Sequence, residues 1–143
     1  MARTPDEEIP PDEPLYRSIS AADVIGNDVL SSAVDLPRCS FNRGKYSSAQ
    51  DVLVARRPDD NGIVTITGNE LPDPVPRASG APYEFFTADD PNPSEDPDND
   101  AHCEVRIRPQ GKPFSKNHKV KKEVRAKALD ALARRLRIIK APE

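Results

Sequence analysis

Two histidines, His102 and His118, and a cluster of polar residues around Gly44 are where this sequence could do chemistry. Histidine trades protons near neutrality, so a pair can act as general base and general acid. Set against Arg43 or Lys45, which would meet the charge on a phosphorane-like transition state, His102 suits a small metal-independent nucleic-acid-acting enzyme of the ribonuclease-toxin kind. Such a site requires Arg17, Arg43 and His102 to share one cleft, and their spacing does not itself bring them together. The cluster also has a non-catalytic reading. Ser40, Asn42, Arg43, Lys45 and Tyr46 in SFNRGKYSS offer five groups suited to holding phosphate or carboxylate, although the segment lacks the GxxxxGK[ST] pattern and ordinary loops are rich in these residues.

Other chemistries find no support in the spacing. No GxSxG, HExxH, Walker or dinucleotide fingerprint occurs. Asp96, Asp98 and Asp100 alternate as in a calcium loop, but Ala101 stands where an EF-hand needs glycine and Ile107 where it needs glutamate. No metal and no cofactor is expected. Cys39 and Cys103 lack CxxC spacing and read as two reduced thiols, Cys103 facing the core.

Charge supplies the second line of argument. Residues 1–100 hold 8 Lys/Arg against 20 Asp/Glu, whereas residues 101–143 hold 13 against 4. The net charge of -3 is thus a near-cancellation of two opposed halves. A segment this basic is drawn to phosphate, to an acidic protein surface, or to its own acidic half. Nucleic-acid binding would want aromatics among the basic residues, and only Phe114 is near, so nucleic acid ranks behind a larger protein as partner. The plainer alternative is a solvated face that keeps a small protein soluble.

These residues need elements to position them. A chain of 143 residues fits one core, and its 16 prolines and few aromatics make that core modest and its loops long. Residues 1–14, with four prolines and five acids, read as a disordered acidic tail, and residues 15–143 as a single domain. LYRSI (15–19) reads as a strand, Ser20 caps a helical turn over AADVI, and the turn at residues 25–28 leads into an expected strand over 29–34. The stretch from Pro37 to Gly44 reads as loop. A helix start follows, with Ser47 or Ser48 as cap and Val52, Leu53 and Ala55 as its apolar face. Residues 63–67 and 83–87 read as strands, 68–82 as an exposed loop and 88–100 as an acidic loop. From 101 to 108, Ala101, Cys103, Val105 and Ile107 alternate with His102, Glu104, Arg106 and Arg108, giving a strand with a charged outer face.

The last element is a basic amphipathic helix over about 117–140, capped by Ser115 or Asn117. Val120, Val124, Ala128, Ala131, Leu132, Leu136, Ile138 and Ile139 share its apolar arc. Lys119, Lys122, Lys127, Arg134, Arg137 and Lys140 lie opposite. Together these elements predict an α+β fold, a small antiparallel or mixed sheet packed by a C-terminal amphipathic helix, with long proline-rich loops. No apolar run approaches the roughly 18 residues that span a bilayer, and the start lacks a signal-peptide pattern. A soluble, cytoplasmic protein is expected.

The words LYRSI at 15–19, LSSAV at 30–34, SFNRGKYSSAQDVL at 40–53, GIVTIT at 62–67 and DAHCEV at 100–105 resemble a pattern among small uncharacterised bacterial proteins with an LYR strand, an SSA step and a late HA strand. The resemblance implies a compact bacterial domain serving a defence or intercellular-conflict operon, and it singles out Arg17, Ser31, Ser32 and His102. Here Val34 follows the SSA step where the pattern has an aromatic. It implies no activity. The reading that results is a non-enzymatic binding or accessory module, docking on a larger protein through Lys119, Lys122, Arg134 and Arg137 of the helix and the 40–46 loop. The ribonuclease-toxin-like enzyme using His102 is the alternative.

Overall fold

A computed structural model describes residues 3–53 and 57–143 of the chain. Eight strands and one α-helix are found there: β1 (Leu15–Ile19), β2 (Val24–Ile25), β3 (Asp28–Val29), β4 (Arg38–Arg43), β5 (Gly62–Ile66), β6 (Tyr83–Asp89), β7 (His102–Pro109), α1 (Lys122–Arg135) and β8 (Arg137–Lys140). Six strands form one antiparallel sheet in the order β6-β7-β4-β1-β5-β8, and β2 with β3 makes a small hairpin. The expected α+β class is what the structure shows.

The period of two in the sequence becomes the two faces of this sheet. Leu15, Ile19, Cys39, Phe41, Val64, Ile66, Cys103, Val105 and Ile107 point to one face, where they form the core with Ala128, Leu132 and Ala133 of α1. Those three helix residues are fully buried, so the helix lies on the sheet along its small and apolar stripe. The opposite face carries Tyr16, Ser18, Ser40, Asn42, His102 and Glu104. It is covered in part by the 3-10 turn Ala49–Val52 and by the loop that joins β6 to β7, and a cleft opens between them.

Several sequence expectations are corrected. The stretch read as loop before Gly44 is the central strand β4, paired with β7 over five residues. Residues 29–34 are the end of a two-residue strand followed by a 3-10 turn at Ser31–Ala33 rather than one strand. Helix α1 is shorter than the expected 117–140. It starts after Lys121, not after Ser115 or Asn117, and stops at Arg135 because Leu136 turns to extended backbone, φ -73 and ψ 134. RIIK then pairs with the free edge of β5, where β-branched residues are favoured. The helix start expected near Ser48 is a single 3-10 turn, in which Ser48 and Asp51 form a capping box. Ala55, assigned to its apolar face, lies outside the described residues.

The acidic N-terminal segment is the largest correction. Residues 3–14 run as a strap over the core face of the sheet, and Ile9 is buried there. The Gly44 amide donates to the Pro14 carbonyl at 2.8 Å, so close that a Cβ at position 44 would meet Pro14 at 2.8 Å. The strap is fastened by charge. Arg43, with no exposed side-chain surface, donates to Glu13 at 2.8 and 2.6 Å and to Asp6 at 2.6 Å, and lies 3.4 Å from the equally buried Asp89. Arg3 donates to both oxygens of Asp89. Asp6 and Glu13 of the strap thus meet Arg43 and Lys45 rather than the basic helix. No helix among the described residues is long and apolar enough to cross a membrane.

Candidate functional site

The structure divides the sequence candidates between the two faces of the sheet. Arg43 alternates with Asn42 on β4 and so faces the core side, where three carboxylates occupy its guanidinium. These bonds, that from Glu13 foremost, hold the Arg43 pKa well above the ordinary arginine value. Lys45 is exposed and reaches Asp6 at 3.7 Å, while the Tyr46 hydroxyl donates to Asp6 at 2.8 Å. The Tyr46 hydrogen bond, then that from Arg43, lowers the Asp6 carboxyl to about 2. Arg43, Lys45 and Tyr46 therefore fasten the strap. His102 is on the other face, in a cleft whose lining includes neither Arg43 nor Lys45.

Arg17 and His102 do meet, in a cleft of about 590 Å³ with Ser40 between them. Pairing of β1 with β4 stops after Tyr16 and Asn42, and the Arg17 guanidinium spans the gap, donating to the Ser40 carbonyl at 2.8 Å and to the Ala33 carbonyl at 2.7 Å. The SSA turn that supplies Ala33 is held in turn by Ser32, whose hydroxyl donates to Asp23 at 2.9 Å. His102 was expected on an open outer face. It is on that face but buried, because its Nδ1 sits 2.8 Å from the Asp90 carbonyl of the covering loop. A carbonyl can only accept, so Nδ1 carries a proton, and Nε2 lies 3.1 Å from Ser40 Oγ. Asn42 accepts from Asn99 at 2.8 Å.

Asp90, His102 and Glu104 have ligand atoms within 4.8 Å of one another, the spacing a cation would need. Those of Glu104 and His102 already have partners. Glu104 takes 2.7 Å and 3.4 Å contacts from Arg106 and Arg38, which already supply its positive charge, and both ring nitrogens of His102 have partners. The arrangement is a buried polar network that fixes the loop. Cys39 and Cys103 are free, buried thiols, and burial pushes the pKa of each upward, which makes both poor nucleophiles.

The basic C-terminal segment presents a different surface. Most arginines are satisfied internally: Arg134 by Asp130 at 3.0 Å, Arg137 by Glu70 at 2.8 Å, Arg125 by Asp35 at 2.7 Å. Arg134 and Arg137, expected to bind a partner, thus already hold acids of this chain. The lysines are not neutralised in this way. Among the described residues, Lys116, Lys119, Lys121, Lys122 and Lys127 form no ion pair, and all five are exposed. Lys119, Lys121 and Lys127 line a pocket of about 580 Å³, closed on the other side by Pro76, Arg77, Ala78 and Ser79, with Tyr83 and His118 in its wall.

Sequence reasoning found Lys119, Lys122 and Lys127 but missed Lys116, Lys121, Tyr83 at the start of β6, and Arg77, which a long loop carries to the helix. The available signal was Gly80 in PRASGAP. It has φ +95, and a Cβ there would strike the Arg77 guanidinium at 2.7 Å, so the loop is wrapped around that side chain. No protein-family model, no curated protein and no solved structure matches the chain.

Proposed function

We propose that this protein is a binding module that docks on an acidic surface of a larger protein through the lysine face running from Lys116 to Lys127. One observation carries the reading. Among the described residues most arginines pair with acids of this chain, whereas the neighbouring Lys116, Lys119, Lys121, Lys122 and Lys127 do not. Unscreened charge of one sign raises association rates and selects partners of opposite sign. A merely solubilising face would mix both signs, as the Asp130–Arg134 end of the helix does, whereas Glu123 is the one acid among the lysines here. Nucleic acid is the weaker fit, since Phe114 packs edge-on against Phe86 at 5.8 Å with the Arg106 guanidinium over its ring, and offers no free stacking face. On the likeness of its LYR and SSA words, the partner belongs to a bacterial conflict system. The test is affinity purification of the tagged chain from its native host with and without nuclease. A stoichiometric protein that survives nuclease supports the reading; recovery of nucleic acid alone rejects it.

A second reading rests on the Ser40–His102 contact. With the His102 ring neutral, the Ser40 hydroxyl would donate to a bare imidazole nitrogen while the carbonyl holds the other, the arrangement that activates a serine nucleophile. Against it, the β4 backbone around Ser40 is paired in the sheet and supplies no oxyanion hole. A fluorophosphonate probe that labels the parent and not Ser40→Ala would favour this enzyme reading; an unlabelled parent removes it.

A further inference from the structure

We propose that the pocket between the Arg77 loop and the start of α1 receives a phosphate monoester carried on a side chain of the docked protein. This rests on the docking reading and adds a chemical identity to what the lysine face recognises.

The pocket is built around a fixed guanidinium. Arg77 donates through Nε to the Ala81 carbonyl at 2.7 Å and through one terminal nitrogen to the Tyr83 hydroxyl at 3.1 Å, and its plane lies 4.7 Å from the Tyr83 ring centroid. All three contacts are to neutral groups. Among the described residues no carboxylate pairs with Arg77, in contrast to Arg38, Arg43, Arg106, Arg108, Arg125 and Arg137. The guanidinium is thus oriented without being neutralised, which is what pre-organised recognition of an oxyanion requires.

The wall beside it continues the same chemistry. Tyr83 is 2% exposed, and its hydroxyl lies 2.6 Å from His118 Nε2. Arg77 donates to the hydroxyl oxygen and the hydroxyl and His118 Nε2 share a further hydrogen bond, so a chain of hydrogen bonds ties loop, strand and helix approach together. Around this floor stand Lys119, Lys121 and Lys127, with Glu123 as the one acid. Four cations against one carboxylate exceed what a carboxylate ligand would neutralise. A phosphate monoester carries about -1.5 to -2 near neutrality and three acceptor oxygens, so it neutralises more of this charge and uses more of these donors than a carboxylate does. The volume of about 580 Å³ and the presence of Val124 and Pro76 leave room for the side chain that bears the phosphate. A closed floor under one fixed guanidinium suits a single projecting group. A continuous nucleic-acid backbone would instead call for a charged groove with exposed stacking faces.

The test is a titration of the full chain, isotopically labelled, with phenyl phosphate, followed by amide and histidine ring resonances. The expected result is a saturable shift at Arg77, His118 and residues 119–127, with Lys119→Glu and Lys121→Glu each weakening binding at least about tenfold. Both positions are exposed and outside the core, so these variants fold, and unchanged dispersion elsewhere in the spectrum checks that. No saturable shift, or equal shifts with benzoate, would overturn the phosphate assignment. Tighter binding of a short single-stranded RNA than of a phosphoserine peptide would overturn the protein source. Lys116 and Lys122 lie outside the pocket lining. A partner lost on Lys116→Glu/Lys122→Glu while phenyl phosphate fails to bind would remove the pocket and leave the docking face intact.

Discussion

Replacing Arg43 by methionine removes the guanidinium that fastens the N-terminal strap and leaves Asp89, fully buried, with one partner fewer. Glu13, whose side chain is 9% exposed, loses its ion pair altogether. Stranding buried charge in this way costs about 3–5 kcal/mol, out of a total stability of roughly 5–15 kcal/mol for a protein of this kind. At about 2.1 cal/mol/K per residue, a chain of 143 residues has an unfolding entropy of about 0.3 kcal/mol/K, so Tm should fall by about 10–17 °C. Far-UV circular dichroism melts at pH 7 measure this directly. Arg137→Met is the control, because its pair with Glu70 is half-exposed and worth about 0–1 kcal/mol. An Arg43→Met protein within about 3 °C of its parent would refute the strap and restore a dispensable tail.

The pH dependence follows from the same cluster. Asp6 is lowered to about 2; burial raises Asp89, and the bonds from Arg3 and the Asp6 amide more than offset it; the hydrogen bond from Arg137 lowers Glu70. Carboxyls depressed in the folded state contribute stability that is complete above their unfolded values near 4 and is lost as pH falls toward the folded ones. Urea midpoints should therefore hold steady from pH 7 to about 5 and drop between about 4 and 2, less steeply in Asp6→Asn; a midpoint constant down to about pH 2.5 contradicts this. Leu132→Ala opens a cavity beneath α1 and should cost about 2–5 kcal/mol in chemical denaturation, against under about 0.5 kcal/mol for Lys127→Ala on the exposed side. Cys39 and Cys103 should react with a disulfide reagent only in denaturant, and rapid stoichiometric modification of the native protein would show that their burial is wrong.

Strands β1, β5, β6 and β7 were legible because each alternates or carries a β-branched or aromatic run that no other element explains. Strand β4 was not. Its outward residues are Ser40 and Asn42, which read as loop chemistry, and Pro37 and Gly44 bracket it; only pairing with β7 and β1 makes it a strand. Strand β8 was hidden because Ile138 and Ile139 continue the helical arc of α1, and the free edge of β5 that claims them is more than 70 residues away in sequence. The strap was hidden for a like reason. Proline and acid in residues 3–14 signal disorder until Arg43, about 30 residues on, is seen buried with nothing else to neutralise it. Of the candidate site, Lys119, Lys122 and Lys127 could be read from charge and helical spacing, whereas Lys116 and Lys121 fell outside the expected basic arc. Arg77 and Tyr83 could not be read, since the pocket exists only where the loop before β6 meets the approach to α1.

The docking claim is tested most directly by recovering the tagged parent and Lys122→Glu/Lys127→Glu side by side from the native host after nuclease treatment, and quantifying the co-purified protein. Both substitutions are on exposed helix positions and should leave the fold unchanged. The account predicts a stoichiometric partner with the parent and a loss of at least about tenfold with the variant, steeper at low salt than at high. Equal recovery of the same partner by both proteins would contradict it.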